Sequence, residues 1–374
     1  MARAASLTAD IENVPETDRL EGFPHPRETR SLFGHQSADR MMAQALVSGR
    51  MHHAWLVAGL EGIGKATFCY RFARAALARP EERDLFGDSL EVAPETSAYR
   101  QVRARSHPGL IVIRRAYDQK AKRSASNVSV DDVRRLRSFL SLSAEEGGWR
   151  VVIVDSADDM NLNAANALLK SLEEPPPQTV FLIVSSSPGR LLPTIRSRCR
   201  LLTLEPLNKT NLVKAVRQAL EAAGKPLPSE AELEGLQALS GGSVRRMLSM
   251  MGAGGVQLQA RIDKLMSSLP QLDLKAAHAL SDELQPAAQE QKFELFFDLL
   301  FATLARLTRA AATQQGTAPD LAMAARLIGP GRVAAFAQLW ETLARDTSEA
   351  DALNLDRKAL ILDALAKIEA AARS

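Results

Sequence analysis

The sequence predicts an α/β fold, a parallel sheet with helices on both faces, followed by two domains built from helices alone. Three observations predict it. Short, uniformly apolar runs alternate with helical patterns between residues 54 and 184, as expected for parallel strands buried on both faces. A glycine-rich segment, Gly59 to Lys65, joins the first of these runs to a helix. After Leu204-Glu-Pro-Leu207 no strand-like run occurs, and the remaining sequence has helical character.

Each element follows from local pattern. Residues 1–30 are polar, contain proline and lack an apolar period, so they read as a flexible lead-in. A helix is expected from about Ser37 to Ser48. Ala54-Trp-Leu-Val-Ala58 is a strand candidate ending in glycines, and a helix opens near Lys65. Leu110-Ile-Val-Ile113 is a second buried strand. Val130 to Leu142 is helical, with Ser129 as N-cap, Asp131 and Asp132 in the first turn, and Val133, Leu136 and Leu140 on one face. Val151-Val-Ile-Val154 and Val180-Phe-Leu-Ile-Val184 are further strands. The helix between them, Asn163 to Glu174, is stopped by Pro175-Pro-Pro177. Asn208 to Ala223, Ser229 to Ser240 and Ser243 to Met251 then read as three helices. Gly252 to Gly255 makes a soft boundary before an Ala/Leu-rich helical remainder. The expected organisation is a lead-in over 1–30, an α/β domain over 31–206, a small helical domain over 207–254 and a larger helical domain over 255–374.

Composition narrows the function classes. The 374 residues suffice for two or three domains, and 46% hydrophobic with 24% charged residues is ordinary for a globular protein. Aromatics at 5% leave the cores to Leu, Ala, Val and Ile. A net charge of +3 neither demands nor forbids a nucleic-acid partner, because local patches do the binding. Met1 to Arg19 carries Asp10, Glu12 and Glu16 without an apolar segment, which argues against a secretory signal. Leu295 to Leu307, the most apolar stretch, is interrupted by Asp298 and Arg306 and is too short for a bilayer, so it is expected as a buried helix. Two scattered cysteines, Cys69 and Cys199, fit reduced thiols and a cytoplasmic location.

The sharpest chemical signal is Gly59-Leu-Glu-Gly-Ile-Gly64-Lys65-Ala66-Thr67. Placed between a strand and a helix, it has the context of a phosphate-binding P-loop. Gly59, Gly62 and Gly64 let backbone N–H groups converge on phosphate oxygens, and Lys65 reaches the terminal phosphates. The residue after the lysine should carry a hydroxyl for Mg²⁺, and here it is Ala66; Thr67 comes one position too late for the metal. A glycine-rich turn without ligand is the plainer alternative. The apolar strand Val151 to Val154 ends in Asp155, placed to hold a metal directly or through water. The glutamate that normally follows, and activates water, is replaced by Ser156. Losing such a base costs about 10²–10⁴ in rate. Asp158 and Asp159 fall on the following turn and read as solvated. Ser197-Arg198-Cys199 is a short motif in which Arg196, Arg198 and Arg200 are, taken alone, a solvated basic edge. Arg100 to Arg123 holds eight Arg or Lys residues and one acid, and reads as a solvated loop that could also face DNA phosphates. His52 and His53 have no third ligand in view and read as packing or surface residues.

Several stretches in order resemble the bacterial clamp-loader family of AAA+ proteins, and most closely its delta-prime branch. They are Leu32-Phe-Gly-His35, His52-His-Ala-Trp-Leu56, Asn166-Ala-Leu-Leu-Lys-Ser-Leu-Glu-Glu-Pro-Pro176, Leu192-Pro-Thr-Ile-Arg-Ser-Arg-Cys199 and Gly242-Ser-Val-Arg245. The resemblance implies an AAA+ P-loop domain with a parallel sheet, a helical lid and an all-helical collar. It implies that Arg198 is an arginine finger acting in trans on ATP of an adjacent subunit, a role worth about 10³–10⁵ in rate. Ser185 or Ser186 matches the sensor-1 position and Arg245 the sensor-2 arginine. With Gly59, Gly62, Gly64, Lys65, Thr67 and Asp155 they would form a degenerate nucleotide site that requires no cofactor but could take ATP or ADP. Arg134, Arg135 and Arg137 lie on a helix whose counterpart faces DNA in related loaders. Nucleotide-binding members carry a four-cysteine zinc module after the P-loop helix; this chain has no cysteines there, so no zinc or other metal is expected. The implied function is a non-hydrolytic or very weakly active scaffold subunit. Its implied partners are gamma/tau ATPase subunits, the clamp-opening delta subunit, the sliding clamp and primer-template DNA, with no membrane. An active ATPase subunit of the same machine and a stand-alone P-loop NTPase are the competing readings.

Overall fold

A computed structural model of the chain describes residues 16, 19–83, 88–118, 123–125, 127–141, 148–329, 331–353 and 356–373. The chain divides into two compact units, Met1–Met247 and Leu248–Ser374. Lys120 and Lys122 of the basic stretch, Leu142 at the expected end of a helix, and the lead-in residues before Glu16 lie outside the described residues.

The first unit is organised by a five-stranded sheet: β1 (Ala54–Ala58), β2 (Leu110–Ile113), β3 (Arg150–Val154), β4 (Thr179–Ser185) and β5 (Arg200–Thr203). All pairs are parallel, in the order β2-β3-β4-β1-β5. Side chains alternate across a strand, so each strand feeds two cores. On one face Trp55, Val57, Val151, Ile153, Val180 and Leu182 pack with Phe68, Phe72 and Ala76 of the P-loop helix. On the other, Leu56, Val152, Val154, Phe181 and Ile183 pack with Val133, Leu136, Leu168 and Leu172. Double-sided burial explains why β1, β3 and β4 were continuous apolar runs.

The helices of this unit are α1 (Gln36–Val47), α2 (Lys65–Leu77), α3 (Ser97–Arg103), α4 (Val130–Ser141), α5 (Leu162–Glu173), the short α6 (Pro193–Arg196), α7 (Lys209–Ala222) and α8 (Glu230–Ser240). The expected N-cap at Ser129 is present in reciprocal form: its Oγ accepts from the Asp132 amide, and Asp132 accepts from the Ser129 amide. Asn161, Asn208 and Ser229 cap α5, α7 and α8 in the ordinary way.

Several elements were not expected, the four-residue α6 among them. β5 leaves no uniformly apolar run because it is an edge strand with Arg200, Leu201 and Thr203 exposed. The stretch from Arg100, expected as a loop, begins inside α3, whose Ala98, Tyr99 and Val102 are buried. Tyr117–Asp118 and Arg123–Ser124 form a two-residue antiparallel ladder, too short to leave a pattern. The lead-in is pinned at Glu16, whose carboxylate accepts from Arg27, Arg105 and Arg114, and at His25, which is fully buried.

A ninth helix, α9 (Val244–Gly252), spans the division between the units. The second unit continues with α10 (Gly255–Ser268), α11 (Leu274–Leu284), α12 (Glu290–Thr313), α13 (Ala318–Leu327), α14 (Val333–Leu353) and α15 (Arg357–Arg373). Among the described residues no strand follows Thr203. The apolar stretch expected as a buried helix is the heart of α12, where Leu295, Phe296, Leu299, Leu300, Leu304 and Leu307 form one buried stripe. No described helix is long and apolar enough to cross a membrane.

Candidate functional site

The strand order brings β1, β4 and β3 side by side, so the loops leaving their C-terminal ends meet at one edge of the sheet. That is where ligands bind in open parallel sheets. The loop after β1 holds Gly59, Gly62 and Gly64 at φ of 148°, 75° and 108°. A side chain is strained at such angles, and at Gly62 it would also collide. A Cβ there would lie 2.4 Å from both Arg245 Cβ and Ser243 Oγ. The close approach is matched by backbone bonds, since the Val244 and Arg245 amides donate to the Gly62 carbonyl at 2.9 and 3.3 Å. The Gly242 to Arg245 segment therefore closes onto the loop in this chain. Arg245 Nε also lies 3.5 Å from Glu61 Oε1, an acid within the loop itself.

Lys65 opens α2 and is buried. Its Nζ donates to the Gly59 carbonyl, the Leu60 carbonyl and Ser186 Oγ at 2.8, 2.7 and 2.8 Å, which uses all three ammonium protons. Burial lowers its pKa, while the nearby carboxylates of Glu61, Asp155 and Asp158 pull the other way. His35 fixes the loop from outside: it is buried, its Nε2 lies 2.8 Å from the Ile63 carbonyl, and burial holds its pKa below the usual value. The loop geometry fits a phosphate. It does not fit an ordered Mg²⁺ site, because Ala66 stands where a hydroxyl is required and Thr67 sits half-buried one residue further into the helix. Among the described residues no group of three or more His, Cys, Asp or Glu side chains gathers as a metal site would.

Asp155 directly follows β3 and is buried. The next residue, Ser156, turns the chain at φ 53°, ψ 55°, and starts the short 3₁₀ turn Ala157–Asp159. That turn delivers Asp158 to the end of β4. There Asp158 Oδ1 accepts from Ser185 Oγ at 2.6 Å, and Oδ2 accepts from the Ser186 and Ser187 amides at 2.6 and 3.2 Å. Asp158 is thus not the solvated turn residue the sequence suggested; it holds the C-terminal end of β4. Its partners lie 27 to 29 residues downstream, a separation no local pattern reveals. Of the two sensor candidates, Ser185 is fully buried on Asp158 and Ser186 meets Lys65.

Arg198 follows α6. Its Nη1 donates to the Thr194 carbonyl at 2.9 Å and its Nη2 to Glu173 Oε1, the last residue of α5, at 2.8 Å. Cys199 beside it is a free thiol whose pKa burial pushes up to about 11, and Cys69 is free and buried. Arg134, Arg135 and Arg137 are exposed on α4, the first two paired with Asp131 and Asp132 of its first turn. The guanidinium of Arg200 stacks over Trp55. His52 and His53 stack on each other with centroids 4.5 Å apart.

A family model described as DNA polymerase III, delta subunit, matches residues 34–208. DNA polymerase III subunit delta' of Pseudomonas aeruginosa is 35% identical over 249 residues, which cover 66% of this chain and 70% of the relative. The chain belongs to the delta-prime family of DNA polymerase III clamp-loader subunits. The Escherichia coli member of the delta-prime family is 29% identical over 86% of this chain and 90% of its own length. The tau subunit of Bacillus subtilis is 26% identical over 60% of this chain and 37% of its length. Among solved structures, a gamma subunit-related protein of Thermotoga maritima is 18% identical with a TM-score of 0.42, covering 89% of this chain and all of that one.

Proposed function

We propose that this chain is a scaffold subunit of a clamp loader that hydrolyses little or no ATP itself and lends Arg198 in trans to ATP on a neighbouring subunit. The observation that carries the first half is the state of Asp158. With Ser156 in place of a glutamate, Asp158 is the next acid along the chain, yet both its oxygens are committed to Ser185, Ser186 and Ser187. A general base must be placed within reach of the water it activates, and three hydrogen bonds tie this carboxylate to the end of β4 instead. Ala66 removes the metal's hydroxyl ligand as well.

The second half rests on Arg198 being half-exposed on a surface turn, where a neighbouring subunit's phosphates can reach it. The neighbours in this reading are tau/gamma-type ATPase subunits, since relatives of those names match 60% of this chain. The assembly would include the clamp-opening delta subunit, the sliding clamp and primer-template DNA, with Arg134, Arg135 and Arg137 as phosphate contacts, and would work in the cytoplasm. Residues 207–254 would serve as lid and 255–374 as the oligomerising collar. ATP or ADP held by Gly59, Gly62, Gly64, Lys65, Thr67, Asp155, Ser185 and Arg245 would be a structural occupant rather than fuel.

The test is a reconstituted loader carrying Arg198→Ala. DNA- and clamp-stimulated ATP turnover should fall by about 10³–10⁵ at the site served by this arginine, with subunit composition unchanged by gel filtration. Unchanged turnover would refute the trans role. Robust Mg²⁺-dependent hydrolysis by the purified chain would refute the non-hydrolytic one.

A further inference from the structure

We infer that Glu173 is a positioning residue that parks Arg198 until a neighbour's nucleotide draws it away, an inference that rests on Arg198 acting in trans. Both terminal nitrogens of the guanidinium are engaged within the chain, Nη2 by Glu173 and Nη1 by the Thr194 carbonyl. Each acceptor stands on an anchored element. α5 is fixed at its start by the Asn161 cap and through its length by fully buried Leu168 and Leu172. α6 is fixed by fully buried Ile195.

The location of Glu173 supports a functional partnership. It is the last residue of α5, where the free carbonyl ends of the helix disfavour an acid and favour a cation. A carboxylate placed against that field is compensated by the guanidinium beside it, and the same helix end attracts the guanidinium. Arg198 is thus held by a carboxylate and a helix terminus together. The hold is also weak. The side chains of Arg198 and Glu173 are 35% and 50% exposed, and pairs of that kind shift an equilibrium by no more than about fivefold. A polyphosphate, with several negative charges and more acceptor oxygens, competes for the same two nitrogens and wins them.

Parking sets aside a fraction of the finger, and the affinity of a site that needs it falls by that fraction. The cost is met when Arg198 docks on bound nucleotide, before chemistry, so it weighs on KM rather than kcat. The experiment uses the reconstituted loader with Glu173→Gln, which keeps shape and helix propensity while removing the charge. Expected is a KM for ATP, in DNA- and clamp-stimulated hydrolysis, about two- to fivefold lower, with kcat within twofold. In an Arg198→Ala background the same change should do nothing. An unchanged KM, with Arg198→Ala still crippling, overturns the parking role and leaves the trans role intact. A lower kcat at constant KM also overturns it, because Glu173 would then hold the finger in its working pose. A harmless Arg198→Ala would sink both.

Discussion

Gly62→Ala tests the closure of the Gly242 to Arg245 segment onto the P-loop. Two costs add. Alanine at φ 75° carries the left-handed penalty, about 1–2 kcal/mol. Its Cβ would stand 2.4 Å from Arg245 Cβ and Ser243 Oγ, far inside van der Waals contact. Arg245 Cβ belongs to the root of its side chain and cannot swing away, so relief requires the segment to back off, an overpacking cost of about 1–3 kcal/mol. The reduced freedom of the unfolded chain returns about 0.4–1 kcal/mol. The net destabilisation of the closed arrangement is about 1–5 kcal/mol. Backing off breaks the bonds from the Val244 and Arg245 amides to the Gly62 carbonyl. Hydrogen exchange at those two amides reads the event directly, and should accelerate roughly fivefold to a few thousandfold. Gly241→Ala is the control: its φ is 60°, but an added Cβ there meets nothing within 4 Å. It shares the backbone strain without the collision. If both variants raised exchange at Val244 and Arg245 equally, or neither did, the contact between loop and segment would not be what holds it shut.

Asp158→Ala removes the acceptor for the fully buried Ser185 hydroxyl and for two amides. It should destabilise the first unit by about 1–3 kcal/mol in urea unfolding, with faster exchange at the Ser186 and Ser187 amides; wild-type exchange there would remove this hold from the account. Stability should also fall in mild acid. His35 and His53 both have pKa values lowered from 6.5, mainly by burial, so the unfolded chain binds protons that the folded chain resists. The folded state is at full strength above that value and loses stability as pH falls through it. Glu16, whose pKa its arginine partners lower, adds a loss only below its ordinary value of 4.5. Urea midpoints from roughly pH 7.5 to 5.5 should drop, and His35→Gln should flatten the drop by up to about 1.4 kcal/mol per pH unit; an unchanged slope would exclude His35.

Much of this fold is legible in the sequence because double-sided burial writes itself locally. β1, β3 and β4 are bracketed to within a residue by their apolar runs, and the cap expected at Ser129 is present. β5 is not legible, since an edge strand needs only one buried face and Leu202 supplies it. The site divides in the same way. The P-loop is a contiguous motif whose glycines impose the turn wherever the strand and helix form. Asp158 and Glu173 act across gaps of 27 and 25 residues, and only the sheet order brings their partners near. Glu173 did carry one local sign, an acid at the end of a helix, where the field disfavours it.

The bonds around the loop join it to the end of β4 and to the Gly242 to Arg245 segment. Lys65 reaches Ser186, and Asp158 holds Ser185, Ser186 and Ser187 from the other side. The Gly62 carbonyl takes the amides of Val244 and Arg245, and Glu61 meets the Arg245 guanidinium. From Ser187 the chain runs through the 3₁₀ turn Pro188–Arg190, buried Leu191 and buried Ile195 to Arg198. The backbone at Arg198 is therefore set by packing and internal hydrogen bonds, while its guanidinium is held by the Thr194 carbonyl and a half-exposed ion pair to Glu173. In the proposed trans role, a firmly held base with a loosely held tip lets the guanidinium exchange both the Glu173 carboxylate and the Thr194 carbonyl for a neighbour's phosphate.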